Sequence, residues 1–448
     1  MNSLFGTDGV RGIANQKLTS QLAYDLGRAG AYCLTNAIHN AKILIGKDTR
    51  ASGDMLESAL VAGICSAGAE AVVACTLPTS AVAYLTREMG FDAGIMISAS
   101  HNTVEYNGIK FFNAQGYKLA DEIEDRIESI IINQSEEVPL PTGIKIGRRI
   151  RLRKAAQEYI DFLVGTTDER FENMKVVLDC ANGAASEVAP WVFKLLGAEV
   201  IPYYNMPDGN NINDNCGSTH PEQLARAVPE LGADLGLAFD GDADRLIAVD
   251  EHGNIVDGDK IMSICALDLK ERGELKKDTV VATVMSNMGM EMTLKKGGIN
   301  LVRTDVGDRY VLEEMLKSGY GIGGEQSGHI IFLEHNTTGD GILSGVQLLS
   351  VMKRQNKHLS RLARNVDIYP QVLVNAKVSE QRKNGYMDDS AIVERINQLE
   401  KDFAGNGRVL IRTSGTEPLV RVMIEGPNKQ EITKHAVDMA NLIEQRLS

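Results

Sequence analysis

A repeated pattern of short apolar strands and amphipathic helices most constrains how this chain can fold. Three segments, which begin near residues 42, 175 and 279, each read as strand, helix, strand, helix, strand, and each ends in a polar loop. This alternation predicts mostly parallel sheets that helices cover on both faces. Because ligands of open α/β sheets bind beyond the carboxyl ends of the strands, the three polar loops are the first candidates for function.

The helices and strands of each segment follow from local patterns. In the first segment Leu56, Leu60 and Ile64 recur every four residues, as on one face of a helix. The second segment places Val188, Trp191, Val192 and Leu195 at the i, i+3, i+4, i+7 spacing. Short returning strands are expected at 107–112 and 245–249, directly after the polar loops of the first two segments.

The C-terminal part of the chain breaks the repeat. From about Tyr369 it reads as strand, helix, strand, strand, helix, with the elements at 371–378, 390–403, 408–412, 419–425 and 429–447. The expected fold is therefore three related mixed or parallel α/β domains followed by an α+β domain. Their expected boundaries are 1–150, 151–255, 256–368 and 369–448.

Charge and cysteine content indicate the class of protein. The 448 residues include 47 basic and 60 acidic side chains, and a net charge of −13 argues against nucleic-acid or anionic-membrane binding. Neither a basic and apolar leader nor an apolar run of the ~18 residues needed to span a membrane is visible. The six cysteines are scattered without metal or disulfide spacing, so we expect a cytoplasmic protein.

The polar loop of the second segment contains three alternating carboxylates. Asp240, Asp242 and Asp244 share one side of an extended or looped backbone and can converge on one cation. A merely solvated acidic loop is one alternative. An EF-hand is another, but Arg245 stands where that loop requires glycine, and a strand precedes it instead of a helix. Hard oxygen ligands indicate a divalent metal, with Mg²⁺ preferred.

The corresponding loop of the first segment contains Ser100, His101 and Asn102. A serine–histidine pair in a loop is by itself more typical of a turn, and a G-x-S-x-G elbow is absent. Its position in the repeat matches that of the three aspartates. One domain would thus supply a hydroxyl nucleophile and the next a metal.

Two further loops suggest phosphate and sugar binding. Two guanidiniums, two hydroxyls and a glycine suit a phosphate dianion, unless the segment is a surface hairpin. These residues are Arg412, Ser414, Gly415, Thr416 and Arg421. Glu325 and Ser327, beside several glycines, could hydrogen-bond the vicinal hydroxyls of a sugar, or could simply belong to a flexible turn.

Taken together, these motifs resemble the α-D-phosphohexomutase superfamily over the whole chain. The matching strings are FGTDGVRG at 5–12, SASHN at 98–102, DGDADR at 240–245, GEQSGH at 324–329 and RTSGTEP at 412–418. The resemblance implies four domains around a central cleft, a phosphorylated Ser100, and one Mg²⁺ per chain held by Ser100, Asp240, Asp242 and Asp244. Phosphoserine would convert a sugar monophosphate to a sugar 1,6-bisphosphate, which reorients and returns its other phosphate; the bisphosphate would also serve as activator.

The resemblance also suggests roles for other residues. Arg11 and Arg245 would neutralise charge during phosphoryl transfer. Lys110 and His329 are both candidates for general acid and base, with His101 in support, and the sequence does not decide between them. Thr304, Gly307 and Asp308 lie in the segment RTDVGDR at 303–309, which matches the substrate loop of the third domain.

Gln326 indicates which branch of the superfamily the chain resembles. The string Gly-Glu-Gln-Ser-Gly that contains it is similar to the sugar loop of the branch that acts on glucosamine phosphates. The implied reaction converts glucosamine 6-phosphate to glucosamine 1-phosphate for the synthesis of cell-wall amino sugars, and a homodimer is suggested. A glucose or mannose phosphate mutase and a non-catalytic phosphosugar-binding protein are the alternatives. A Mg²⁺-dependent phosphatase is disfavoured, because its D-x-D-x-T pattern needs threonine at Asp244.

Two positions depart from the family pattern. Thr103 stands where the serine loop usually has proline, and Thr413 where the phosphate loop usually has proline. Because proline restricts the backbone, both changes are expected to loosen their loops while leaving the functional side chains in place.

Overall fold

The computed structural model describes residues 4–6, 8–35, 41–413 and 418–448. Its internal contacts divide the chain into two compact units. The first contains Met1–Thr283 and Val302–Arg364, and the second contains Val284–Leu301 and Asn365–Ser448. Within the described ranges, no helix is long and apolar enough to cross a bilayer. The four domain boundaries expected from the sequence stay a prediction.

The first repeat forms a mixed sheet with strand order β1-β5-β4-β2-β3-β6. Its strands are β1 (Val10–Ile13), β2 (Lys42–Lys47), β3 (Glu70–Thr76), β4 (Ala93–Ile97), β5 (Tyr106–Asn113) and β6 (Arg149–Arg151). Its helices are α1 (Ser20–Thr35), α2 (Ser52–Ser66), α3 (Thr79–Glu88) and α4 (Asp121–Asn133); α5 (Ala155–Val164) follows β6, before the strands of the second repeat. Strand β5 is the expected returning strand and pairs antiparallel with β4.

The hydrophobic pattern of α2 was predicted correctly. Leu56, Leu60 and Ile64 are fully buried and belong to the core beneath the first sheet. Each buried aliphatic side chain of this kind contributes roughly 1.5–3 kcal/mol. The packing of such side chains fixes the sheet to which the Ser100 loop is attached.

The second repeat forms a sheet with order β11-β10-β9-β7-β8. Its strands are β7 (Lys175–Asp179), β8 (Glu199–Tyr203), β9 (Leu235–Phe239), β10 (Leu246–Asp250) and β11 (Ile255–Val256). Its helices are α6 (Ala185–Leu195) and α7 (Glu222–Glu230). The helix α6 was predicted correctly, and its buried face in part. Val188 and Val192 are buried, but Trp191 is 55% exposed and Leu195 43% exposed, because Ala185, Ala189 and Phe193 complete the packed face instead.

The third repeat forms a sheet with order β13-β12-β14-β15. Its strands are β12 (Thr279–Thr283), β13 (Asn300–Thr304), β14 (Ile322–Gly324) and β15 (Ile330–Phe332). Helices of this part are α8 (Gly258–Glu271), α9 (Met288–Lys296), α10 (Asp308–Ser318), α11 (Gly341–Gln355) and α12 (Leu359–Ala363). The sheet is mixed, since β14 runs parallel to β12 and antiparallel to β15.

The C-terminal part forms an antiparallel sheet with order β16-β18-β17. Its elements are β16 (Gln371–Lys377), α13 (Ser390–Phe403), β17 (Arg408–Thr413), β18 (Leu419–Glu425) and α14 (Lys429–Leu447). Short 3₁₀ helices lie at Gly143–Lys145, Lys276–Asp278 and Lys383–Met387. The predicted fold class, three related α/β parts and a C-terminal α+β part, is confirmed.

Candidate active site

The loops that follow β4 and β9 meet at one point. Both strands are buried along their whole length, and each ends at a polar loop. Ser100 is itself buried, and its hydroxyl donates a hydrogen bond of 2.6 Å to Oδ2 of Asp240. The structure thus joins the candidate nucleophile to the candidate metal loop, as the repeat predicted.

Close approach of the two loops depends on Gly241. A Cβ atom at this position would lie 2.6 Å from the carbonyl oxygen of Ser100. Real Cβ atoms do not come so close to a backbone oxygen, so any side chain at this position would push the loops apart. The glycine between the first two aspartates is therefore a requirement of the site's geometry.

The three aspartates fit a divalent cation. They are buried, and their ligand atoms lie within 4.8 Å of one another. The Oδ2 atom of Asp242 accepts hydrogen bonds from Thr79 Oγ1 (2.6 Å) and Lys110 Nζ (2.9 Å). The Oδ1 atoms of Asp242 and Asp244 are buried without a hydrogen-bond partner among the described residues. Buried carboxylate oxygens without donors are costly, and a hard cation would remove that cost.

Lys110 is surrounded by carboxylates. Its Nζ lies 2.9 Å from Asp242, 3.0 Å from Asp8 and 3.6 Å from Asp244. Burial alone would lower the pKa of Lys110, but the charges of Asp242, Asp8 and Asp244 outweigh it and raise the pKa above its usual value. Lys110 therefore keeps its proton and acts as a fixed positive charge beside the aspartate loop.

His329 lies between two carboxylates. Its Nδ1 is 3.6 Å from Asp244 Oδ2, and its Nε2 is 3.4 Å from Asp308 Oδ2. Nε2 accepts a hydrogen bond of 3.1 Å from the backbone N–H of Gly339. A Cβ atom on Gly339 would lie 2.4 Å from the His329 ring, so this close approach requires glycine. The bond from Gly339 places the proton of the neutral imidazole on Nδ1, facing Asp244.

The two carboxylates beside His329 favour the protonated form of its ring. Burial would lower the pKa of His329, but Asp244 and Asp308 outweigh it, so the pKa is raised. The acceptor bond from Gly339 favours the neutral ring, whereas the two carboxylates favour the imidazolium. A ring held between these influences is suited to taking up and releasing a proton.

Asp8 and Lys118 extend the ionic cluster. Lys118 Nζ lies 2.6 Å from Asp8 and 2.5 Å from Asp308, and Arg11 also donates to Asp8. Burial opposes ionisation of Asp8, but Lys110, Lys118 and Arg11 hold its pKa well below the usual value. The cluster connects the first repeat to Asp308 at the start of α10 in the third. Sequence reasoning missed Lys118, which belongs to none of the motifs.

His101 lies beside the Ser100 hydroxyl, with 3.2 Å between its Nδ1 and Ser100 Oγ. Burial, followed by the charges of Arg245 and Arg11, lowers the pKa of His101 to about 4. The ring is therefore neutral near pH 7. This suits the supporting part expected of it rather than the role of an acid.

A cavity of about 180 Å³ opens beside this cluster. Its lining residues are Asp8, Arg11, Asp244, Arg245, Gly307, Asp308, Arg309, Tyr310, Glu325 and His329. Seven of these were candidate site residues from the sequence, so the structure gathers them around one space. Thr304 and Ser327 are not in this lining: Thr304 donates to the carbonyl of Asp305, and Ser327 is exposed. Their roles stay predictions.

The second compact unit contains a pair of arginines. Arg412 on β17 and Arg421 on β18 are directly opposite each other in the strand register. Burial and the charge of Arg421 lower the pKa of Arg412. Guanidinium groups at facing strand positions are the kind of donors that bind a phosphate dianion. Ser414, Gly415 and Thr416, which were expected to complete this phosphate site, lie outside the described residues.

Comparison with domain families covers nearly the whole chain. Residues 2–138, 157–253 and 257–369 match the alpha/beta/alpha domains I, II and III of phosphoglucomutase/phosphomannomutase, in that order. Residues 373–442 match the C-terminal domain of the same family.

Comparison with curated proteins and solved structures gives the same result. The phosphoglucosamine mutases of Caldanaerobacter subterraneus and Acetivibrio thermocellus are 61% and 59% identical over 448 residues, which is the full length of each chain. A phosphoglucomutase/phosphomannomutase family structure from Burkholderia thailandensis has a TM-score of 0.80 at 24% identity, with 98% of both chains covered. An Aspergillus fumigatus N-acetylphosphoglucosamine mutase, solved with GlcNAc-6P and magnesium, has a TM-score of 0.71 at 17% identity over 99% of this chain and 96% of its own.

Proposed function

Because this chain belongs to the phosphoglucomutase/phosphomannomutase family, we propose that it interconverts glucosamine 6-phosphate and glucosamine 1-phosphate. Full-length relatives at 58–61% identity are named phosphoglucosamine mutases. The observation that carries the proposal is the buried contact of 2.6 Å between the Ser100 hydroxyl and Asp240, inside a cluster of three carboxylates. A hydroxyl held against a metal-type site is the arrangement that phosphoryl transfer through a serine requires.

Asp240, Asp242 and Asp244, together with a phosphoryl oxygen on Ser100, would hold one Mg²⁺. When bound, the ion would neutralise negative charge on the phosphoryl group. The two donor-free Oδ1 atoms of Asp242 and Asp244 support this assignment, because the other oxygen of Asp242 already accepts from Thr79 and Lys110.

In the proposed reaction the phosphoryl group passes from Ser100 Oγ to the free hydroxyl of the sugar monophosphate. The bond between phosphorus and Ser100 Oγ breaks while a bond to the sugar oxygen forms; the proton of the sugar hydroxyl passes to a base, and the released Ser100 oxygen takes up a proton. The product is a sugar 1,6-bisphosphate. After it reorients, its other phosphoryl group returns to Ser100 and the monophosphate isomer is released.

His329 is the better base of the two candidates. Lys110 is held in its charged form by three carboxylates, so it has no free electron pair for a proton. His329 lines the cavity, and its Nε2 could take the proton once it gives up the hydrogen bond from Gly339. Against the effect of burial, Asp244 and Asp308 raise the pKa of His329 and would stabilise the imidazolium that forms. Lys110, Arg11 and Arg245 would then stabilise the negative charge of the transferring group.

Glucosamine recognition is proposed for the carboxylates of the cavity. Asp308 and Glu325 both line it, and a protonated amine at C2 of the sugar would gain a charged hydrogen bond that a hydroxyl lacks. We assign the phosphate of the substrate to Arg412 and Arg421, and hydrogen bonds to the sugar to Thr304, Gly307 and Ser327. A cytoplasmic location and a homodimer remain predictions, and all six cysteines are free thiols.

Competition between sugar phosphates tests the proposed function. Purified protein is given glucosamine 6-phosphate, glucose 6-phosphate or mannose 6-phosphate, each with Mg²⁺ and the matching bisphosphate, and kcat/KM is compared. The expected result is a preference of about tenfold or more for glucosamine 6-phosphate, since one charged hydrogen bond is worth ~1.5–3 kcal/mol. Preference for a neutral sugar contradicts the amino-sugar assignment. Binding without turnover indicates a sensor, and release of free phosphate indicates a phosphatase.

A further inference from the structure

The backbone of the Ser100 loop is held in an uncommon conformation. Ser100 has a φ angle of +53°, in the left-handed region that side-chain-bearing residues rarely adopt. Such a conformation persists only where the surroundings determine it. The contacts that hold this loop therefore help to set the direction of the Ser100 hydroxyl.

A buried arginine donates hydrogen bonds to three carbonyl groups of this loop. The Arg50 side chain has no exposed surface. Its Nη2 donates to the carbonyl oxygens of Ser100 (3.0 Å) and Asn102 (2.8 Å), and its Nη1 donates to that of Thr103 (2.5 Å). One side chain thereby fixes three carbonyl groups of the Ser100 loop. The Ser100 hydroxyl meanwhile donates to Asp240.

The Nε–H group of Arg50 forms a second connection to the loop, through Asp48 and Ser98. Its Nε donates to Asp48 (2.9 Å), and Asp48 accepts from the Ser98 hydroxyl (2.6 Å). The Ser98 oxygen in turn accepts from the backbone N–H of Ser100 (2.9 Å). The N–H and the C=O of Ser100 are therefore both fixed through Arg50, one directly and one through two side chains.

Asn213, which precedes α7 in the second repeat, holds the same carbonyl groups from the other side. Its Nδ2 donates to the carbonyl oxygens of Ser100 and Asn102, each at 2.9 Å. Its own N–H donates to the carbonyl of Ala181, which follows β7. Asn213 thus ties the Ser100 loop to the same sheet that bears Asp240, Asp242 and Asp244.

From this geometry we infer that Arg50 and Asn213 are positioning residues for phosphoryl transfer at Ser100. The inference rests on the proposed function. Neither side chain lines the cavity beside the aspartates, and neither contacts an aspartate of the metal loop in the described structure. They act through the loop backbone, by keeping Ser100 Oγ within reach of Asp240 while the phosphoryl group arrives and leaves.

Three substitutions separate this role from general stability. Arg50→Lys keeps the charge but cannot donate to three carbonyl groups and Asp48 at once. Asn213→Ala removes two donors, and Asn213→Asp puts a carboxylate against two carbonyl oxygens. Because misplacement of about 1 Å can cost about 100-fold in rate, we expect kcat to fall about 10- to 100-fold while KM changes less than about threefold.

Two control variants are matched to these changes. Arg354→Lys makes the same change at a partly exposed arginine on α11, which pairs with Asp268 away from the Ser100 loop. Asn211→Ala alters the same loop as Asn213, but its side chain donates to the carbonyl of Met206 and not to the Ser100 loop. Both controls should keep kcat within about twofold of the unaltered protein, since neither contact reaches Ser100.

The deciding experiment combines kinetics with amide hydrogen exchange on the full chain. Exchange in a peptide that spans 98–104 should quicken in the Arg50 and Asn213 variants, while β4 keeps its protection and kcat falls with KM little changed. Unchanged kcat in Asn213→Ala and Arg50→Lys overturns the inference, as does a loss of kcat that the two controls share. Turnover of the unaltered chain is measured first: if it is absent, the proposed function fails, whereas normal turnover in parent and variants refutes only the positioning role.

Discussion

At the scale of single residues, the sequence revealed the groups that lie close together in the chain. Asp240, Asp242 and Asp244 could be recognised because they alternate within one loop. Thr79, which donates to Asp242, could not, because 163 positions separate the two. Arg50, Lys118 and Asn213 escaped notice for the same reason. A buried polar contact across repeats leaves no local pattern in a single sequence.

Lys118 gives a prediction about acid stability. Burial opposes ionisation of Asp308, but Lys118 and His329 lower its pKa, and the pKa of Asp8 is likewise depressed. Carboxylates with a depressed pKa stabilise the fold above their unfolded pKa near 4, and this stability is lost as the pH falls through the folded value. Lys118→Met should therefore lower the unfolding free energy by about 3 kcal/mol at pH 7, because it leaves buried carboxylates underpaired.

Thermal or urea unfolding at several pH values checks this. The difference in unfolding free energy between the variant and the unaltered protein should reach its full size at pH 6. It should shrink below about pH 4, where the carboxylates take up protons. A difference that does not depend on pH would mean that Lys118 contributes by packing alone.

Arg421 gives a prediction about binding. If the arginine pair on β17 and β18 binds the phosphate of the substrate, Arg421→Ala removes one charged hydrogen bond, worth ~1.5–3 kcal/mol. Steady-state kinetics should show KM raised about 10- to 100-fold, with phosphorylation of Ser100 little affected. Arg395→Ala, on α13 of the same unit, serves as the control. An unchanged KM would remove Arg421 from the substrate site.

At the scale of elements, the strands and helices of the repeats could be predicted because their hydrophobic periods are regular. Strands β1 and β6 were not predicted, since four and three residues are too short to show a period. The buried face of α6 was assigned only in part: Val188 and Val192 are buried, but small residues such as Ala185 and Ala189 complete the face, and hydrophobic spacing does not mark them. A local hydrophobic pattern thus predicts that a helix or strand exists more reliably than it predicts which face of the element is buried.

The contact between the two polar loops gives a prediction at this scale. Gly241→Ala introduces a Cβ that would lie 2.6 Å from the Ser100 carbonyl oxygen, so one loop must move. The expected result is a loss of about 1–3 kcal/mol in stability and a fall in kcat of about tenfold or more. Gly165→Ala is the control, because its nearest atoms lie at an ordinary 3.4 Å. Full activity in Gly241→Ala would show that the loops need not approach so closely.

At the scale of the whole molecule, the metal is expected to serve catalysis and not folding. All three aspartates come from one loop after β9, and Lys110 and Arg245 already supply positive charge beside them. Chelation should therefore abolish turnover and added Mg²⁺ should restore it, while the melting temperature falls by no more than about 3 °C. Unfolding of the chain on chelation would show that the ion is structural.

The central claim is that Ser100 carries the phosphoryl group during the interconversion of glucosamine phosphates. Peptide mapping of the protein after incubation with glucosamine 1,6-bisphosphate and Mg²⁺ tests it most directly. The predicted result is one phosphoryl group on Ser100, and its absence in Ser100→Ala, a folded protein with almost no turnover. A phosphoryl group on Ser98, or full turnover by Ser100→Ala, would contradict the account.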